Sequence, residues 1–94
     1  MIDSPVLSVR IPLPWRPLVA GHEEVTASGD NVGEILESVC HEYPAIRLKL
    51  FGLDGQVQSG FVIFLGARNV RELAGLETAI GLEEVMTLVV TGEA

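Results

Sequence analysis

Asn31-Val32-Gly33-Glu34-Ile35-Leu36-Glu37-Ser38-Val39-Cys40-His41-Glu42-Tyr43-Pro44 is the stretch on which the fold turns. Its apolar residues Val32, Ile35, Leu36, Val39, Cys40 and Tyr43 recur at i, i+3, i+4, i+7, i+8 and i+11, which lines one face of a helix over about 31–43. The start is marked: Asn31 can accept a hydrogen bond from the backbone amide three residues on, and Glu34 can reach back in a capping box. Pro44 ends the helix, since a proline disfavours helical geometry in the residue before it.

On both sides of the helix the period changes from 3.6 to 2. Upstream, Leu7, Val9 and Ile11 alternate with Val6, Ser8 and Arg10, the pattern of a strand with one buried face, which Pro12 and Pro14 terminate. His22 to Ser28 reads as a second strand with Val25 and Ala27 inward, and Trp15 to Gly21 makes the turn between them. Downstream, Ile46 to Phe51 is irregular or a short helical turn, and Asp54-Gly55 signals a turn. Phe61-Val62-Ile63-Phe64-Leu65 is apolar on both faces and reads as a strand near the middle of the sheet. Val85 to Val90 gives the last strand. Two strands, a helix and two or more further strands make an α+β chain: a mixed four- to five-stranded sheet with one main helix packed on one face.

Composition bounds what such a chain does. Its 94 residues are 48% hydrophobic with only five aromatics, so one domain spanning 1–94 is expected, with a core of Val, Leu and Ile. Cys40 is the sole cysteine, which excludes an intramolecular disulfide and fits a reducing, cytoplasmic setting. Neither a basic start followed by an apolar run nor a stretch of the roughly 20 apolar residues that span a bilayer is present. The formal net charge is −7, spread over Glu23-Glu24, Glu34, Glu37, Glu42 and Glu83-Glu84. Phosphate backbones repel such a surface, so no nucleic-acid and no membrane partner is expected, whereas a protein with a basic docking surface fits. Ordinary solvated faces account for the same charges and are the expected reading.

Isolated catalytic groups are weak. Cys40 belongs to the apolar stripe of the helix and reads as a buried structural thiol. His22 and His41 share no zinc-type spacing with it, and the glycines at 52, 55, 60 and 66 are too scattered for a phosphate cradle. Glu83 and Glu84, adjacent near a strand start, point to opposite faces. No cofactor, no metal and no enzymatic activity of the isolated chain are expected.

Several segments together carry a resemblance: Val9-Arg10-Ile11-Pro12, Leu18 through Gly21, Asn31-Val32-Gly33-Glu34-Ile35-Leu36, Tyr43-Pro44, Val70-Arg71-Glu72-Leu73-Ala74-Gly75-Leu76-Glu77-Thr78 and Glu84-Val85. Over nearly its whole length the chain resembles the bacterial sulfur-carrier family of the ubiquitin-like β-grasp fold. That family includes the small subunit of molybdopterin synthase, the thiamine-pathway carrier and the carrier of thiocarboxylate-dependent cysteine synthesis. Ile11-Pro12 to Arg16-Pro17 with Thr26-Ala27-Ser28-Gly29-Asp30 looks most like the cysteine-pathway member. The resemblance implies that an adenylating partner enzyme activates a C-terminal glycine carboxylate with ATP. Sulfur then replaces the adenylate, and the thiocarboxylate is delivered to an acceptor resembling a cysteine synthase or the large subunit of molybdopterin synthase.

Here Thr91-Gly92-Glu93-Ala94 departs from the family's terminal Gly-Gly in either register. Glycine suits a tail that threads a narrow channel because it lacks a Cβ and reaches every backbone region; an anionic side chain adds bulk and a charge to desolvate. Three readings follow: a carrier trimmed by a peptidase to Gly92, a carrier using Ala94 directly, and a repurposed β-grasp binding module that docks on carrier-binding enzymes without carrying sulfur. The expected docking face is Val62 and Phe64 on one strand with Met86, Leu88 and Val90 on the next, either exposed as an apolar patch or covered by loops. Arg71 matches an arginine of the family's pattern and suits either a partner carboxylate or a solvated pair. Trp15 is expected to pack the N-terminal hairpin against the sheet end.

Overall fold

The computed structural model describes residues 6–81 and 85–91. In chain order these form β1 (Val6–Arg10), β2 (Glu24–Ser28), α1 (Val32–Glu42), α2 (Arg47–Leu50), β3 (Phe61–Leu65), β4 (Arg68–Asn69) and β5 (Val85–Val90), joined in part by short 3-10 turns. The sheet order is β2-β1-β5-β3-β4. β1 and β5 run parallel and the other neighbours antiparallel, so the sheet is mixed and the last strand lies at its centre.

The amphipathic stripe does what its spacing dictates. Val32, Ile35, Leu36, Val39 and Cys40 are all buried, and they meet Leu7, Val9, Val25, Ala27, Ile63, Leu65, Met86 and Leu88 from the sheet in one core. The cap at Asn31 forms, its Oδ1 accepting from the Glu34 amide at 2.8 Å. Glu34 reaches back as expected but one residue further than a capping box prescribes, accepting from the Asp30 amide at 2.8 Å. The Val32 amide donates to the Thr78 carbonyl at 3.0 Å, so the loop before β5 completes the start of the helix.

Gly29 explains how the helix comes so close to β2. A Cβ placed there would stand 2.7 Å from Glu34 Cβ and 2.9 Å from the Glu34 and Ile35 backbone, closer than any side chain tolerates. The hairpin between β1 and β2 is not closed by a tight turn. Leu13–Val19 winds as a 3-10 helix that ends in Ala20 at φ 60 and Gly21 at φ 82. Three prolines between 12 and 17 set its dihedrals. The segment packs Trp15 edge-on against Phe61, ring centroids 5.3 Å apart, which seats it at the start of β3. β4, two residues long, carries no pattern that its sequence could reveal.

Candidate functional site

The resemblance places the working end of the chain at its C-terminus, and β5 is the element that presents it. β5 is held from both sides: Ser8, Val9 and Arg10 pair with Val85, Met86 and Thr87, while Phe61 to Leu65 pair with Val90 back to Met86. The ladder continues one step past the strand, where the Thr91 amide donates to the Gly60 carbonyl at 2.9 Å. Thr91 is exposed at that end of the sheet. Of the other tail residues expected to matter, Gly92, Glu93 and Ala94 lie outside the described residues, as do Glu83 and Glu84.

Pairing register decides which side chains of β5 share a face. Leu88 stands opposite Ile63, Met86 opposite Leu65 and Val90 opposite Phe61, so these join the core side. Met86 is 0% and Leu88 2% exposed, and Val90 packs partly buried against the same core. Met86, Leu88 and Val90 therefore do not face outward, and this corrects the expected docking set. The outward residues are Val85, Thr87 and Val89, beside Val62 and Phe64 on β3, which do face outward as expected. The helix covers one face only, and the burial of Met86 and Leu88 beneath it fixes the phase of the whole strand. A clue was available: Thr87 is the single polar residue in Val85–Val90, and its parity marks the wet face.

The outer face is thus an apolar strip of Val62, Phe64, Val85 and Val89 at the sheet centre. Polar residues flank it on β1 and β2. Arg10, in register with Thr87, is bonded to Glu24 at 3.3 Å; both side chains are about half exposed, so the pair contributes little stability. Arg71 stands apart, in a 3-10 turn after β4, with its amide donating to Asn69 Oδ1 at 2.9 Å. The structure therefore joins Val62 and Phe64 to the tail-bearing strand and places Arg71 at the far edge of β3, where it lines a groove together with Val62.

The remaining candidates fall to the readings that made them structural. Cys40 is 2% exposed, and burial pushes its thiol above the ordinary value, against the opposing pull of the Arg47 guanidinium. A raised pKa disfavours the thiolate that nucleophilic chemistry needs. His22 and His41 are exposed, and no group of His, Cys, Asp and Glu that could hold a metal occurs among the described residues. No helix among them is long and apolar enough to cross a membrane.

No family model matches the chain. The sulfur carrier protein CysO of Mycobacterium tuberculosis is 30% identical over 84 residues, covering 87% of this chain and 90% of that protein. The crystal structure of Mycobacterium tuberculosis CysO superposes with a TM-score of 0.81 at 28% identity, covering 92% of this chain and 99% of that one. Two further structures share the fold. CysO in the BexX/CysO complex of Amycolatopsis orientalis has a TM-score of 0.82 at 23% identity, covering 94% of this chain and 98% of that one. The small archaeal modifier protein 1 of Methanosarcina acetivorans has a TM-score of 0.86 at 22% identity, covering 99% of both chains. The ubiquitin-like β-grasp architecture, the β5 that carries the tail and a match along most of both sequences converge: the chain belongs to the family of CysO-type sulfur carrier proteins.

Proposed function

We propose that this carrier works as a C-terminal thiocarboxylate on Gly92, formed after a peptidase removes Glu93-Ala94. The carboxylate oxygen of Gly92 attacks the α-phosphorus of ATP on an adenylating enzyme, pyrophosphate leaves, and the acyl-adenylate carries the activated carbonyl. A sulfide equivalent then attacks that carbonyl, AMP departs, and sulfur takes the place of one carboxylate oxygen. The chain itself supplies no side-chain catalyst. It supplies a rigid body, a docking face and an end that a partner's channel admits.

The observation that carries this reading is family membership combined with the sequence that follows the last strand link. Thr91 is bonded to Gly60, and the next residue in the chain is a glycine, the residue type whose missing Cβ suits a confined path. The strip of Val62, Phe64, Val85 and Val89 serves as the docking face for the activating enzyme and for the sulfur acceptor, one of the cysteine-synthase class given the CysO kinship. The BexX/CysO complex supports docking of this kind, since a protein of the same fold is seen there in complex with another.

Two measurements test the proposal. The chain ending at Gly92 is expected to support ATP–pyrophosphate exchange with the activating enzyme, whereas the full-length chain is not. Intact mass of the protein from its host should show loss of Glu93-Ala94 and, under sulfur loading, replacement of one oxygen by sulfur. A host protein that retains Ala94 throughout, together with no exchange by the Gly92-terminated chain, sinks the reading.

A further inference from the structure

The two edges of the sheet are unlike. At the outer edge of β3, the pairing with β4 stops at Phe64 and Asn69, because Val70 turns away into a 3-10 turn whose amide at Arg71 is capped by Asn69. The phase of the ladder follows from the Thr91-to-Gly60 and Gly66-to-Val85 bonds: Val62 and Phe64 direct their backbone groups to β5, and Phe61 and Ile63 direct theirs to this outer edge. Among the described residues, no strand lies against the edge at Phe61 and Ile63.

A groove of about 300 Å3 fills that wedge. Its apolar walls are Val57, Phe61, Val62, Ile63, Val70 and Leu76, and Arg71 stands among the lining residues. Arg71 is exposed, and its guanidinium has no ion-pair partner among the described residues, in a chain whose formal net charge is −7. An uncommitted cation beside an apolar slot and a bare strand edge is a recognition geometry: main-chain bonds give registration, apolar walls take alternate side chains, and the charge selects the sequence. The opposite edge, at β2, presents Glu24 and Thr26 with Glu42 across the gap, and repels the ligands that Arg71 attracts.

We propose that the groove between β3 and the 70–76 segment binds a short extended stretch of a partner protein that carries an acidic side chain, adding it as a strand along Phe61–Ile63 with its carboxylate on Arg71. The volume, at the small end of the range for binding pockets, limits the seated stretch to a few residues. This site meets the outer face at Val62, which lines the groove, while Phe64, Val85 and Val89 lie outside it, so one partner segment at the edge and one partner surface on the rest of the face can be engaged together, with the gain in effective concentration that linkage brings.

The probe is an acetylated, amidated peptide alternating valine and aspartate, titrated into the full-length chain and followed by amide NMR. The amides of Phe61, Ile63 and Arg71 are expected to shift, and solvent exchange at Phe61 and Ile63 to slow at saturation. Arg71→Ala, or the asparagine version of the peptide, should weaken binding by about threefold to tenfold, as the loss of a rim charge pair does. A peptide N-methylated at the amides facing the edge should lose binding, while Arg71→Lys retains part of it. Absence of shifts at millimolar peptide, shifts confined to Glu24 and Thr26 or to Val85 and Val89, or equal affinity for the aspartate and asparagine peptides would each overturn the proposal. Peptide binding requires no activating enzyme, so this result is independent of whether the tail carries sulfur.

Discussion

Leu88 and Val89 are consecutive residues of one strand with nearly the same chemistry, yet they stand in opposite surroundings. Leu88 is 2% exposed beneath α1, and Val89 is 38% exposed on the bare face. The difference lies in what stands above each residue: a helix covers one side of the sheet, and among the described residues no element covers the other. An apolar side chain on the covered side stabilises the body, whereas one on the bare side contributes little to folding and is available to a partner.

Truncation at the covered side tests this contrast hardest. Leu88→Ala should cost about 2–5 kcal/mol of unfolding free energy in urea, because the neighbours of a fully buried leucine collapse only partly around the void. If the loss is under about 1 kcal/mol, the two faces are not as different as their burial indicates.

The helix that creates the difference can be attacked at its anchor. Gly29→Ala forces a Cβ against the Glu34 and Ile35 backbone and should destabilise by about 1–3 kcal/mol. Asn31→Ala removes the acceptor of the Glu34 amide and should cost about 1 kcal/mol, with Asn31→Asp restoring most of it. Denaturant titrations of these variants beside Leu88→Ala rank the helix anchor against the core it covers.

On the bare side, Val89→Ala is expected to leave stability within about 0.5 kcal/mol while weakening capture of the activating enzyme in a binding titration. Unchanged capture would remove Val89 from the docking face. The faintest effect belongs to Cys40, on the covered side. Its folded pKa is raised, chiefly by burial, so the neutral thiol is favoured in the native state. The associated stability is fully present below the ordinary thiol pKa and fades as the pH climbs through the raised value. Stability should therefore fall on the alkaline side of pH 9, and Cys40→Ala should flatten that decline.

How much of this was legible follows from where pattern and geometry coincide. The helix and its cap were legible because thirteen residues carry both a periodic stripe and a start signal, and β1 and β2 because their polar and apolar residues alternate. β5 was legible as a strand and illegible in phase: five of its six residues are apolar, so only the register with β3 assigns them to faces. The assignment of Met86, Leu88 and Val90 to the outside failed for that reason. The 3-10 helix at 13–19 was hidden because its prolines signal a break equally well, and β4 because two residues have no period. The groove beside Arg71 arises where a pairing ends, which is a property of two chain segments meeting and is written in neither alone.

The central position of β5 has a mechanical consequence. Its first half, Val85 to Thr87, is held by a parallel neighbour, and an antiparallel neighbour holds it from Met86 to Val90, where the strand leaves the sheet. A partner that draws the tail into its channel pulls along the strand axis, across the hydrogen bonds of both ladders. Those bonds are loaded in shear and must yield together instead of unzipping singly. The body thus bears tension on its working end as a rope bears load through a cleat, so traction on the tail moves the carrier toward its partner before it can unravel it.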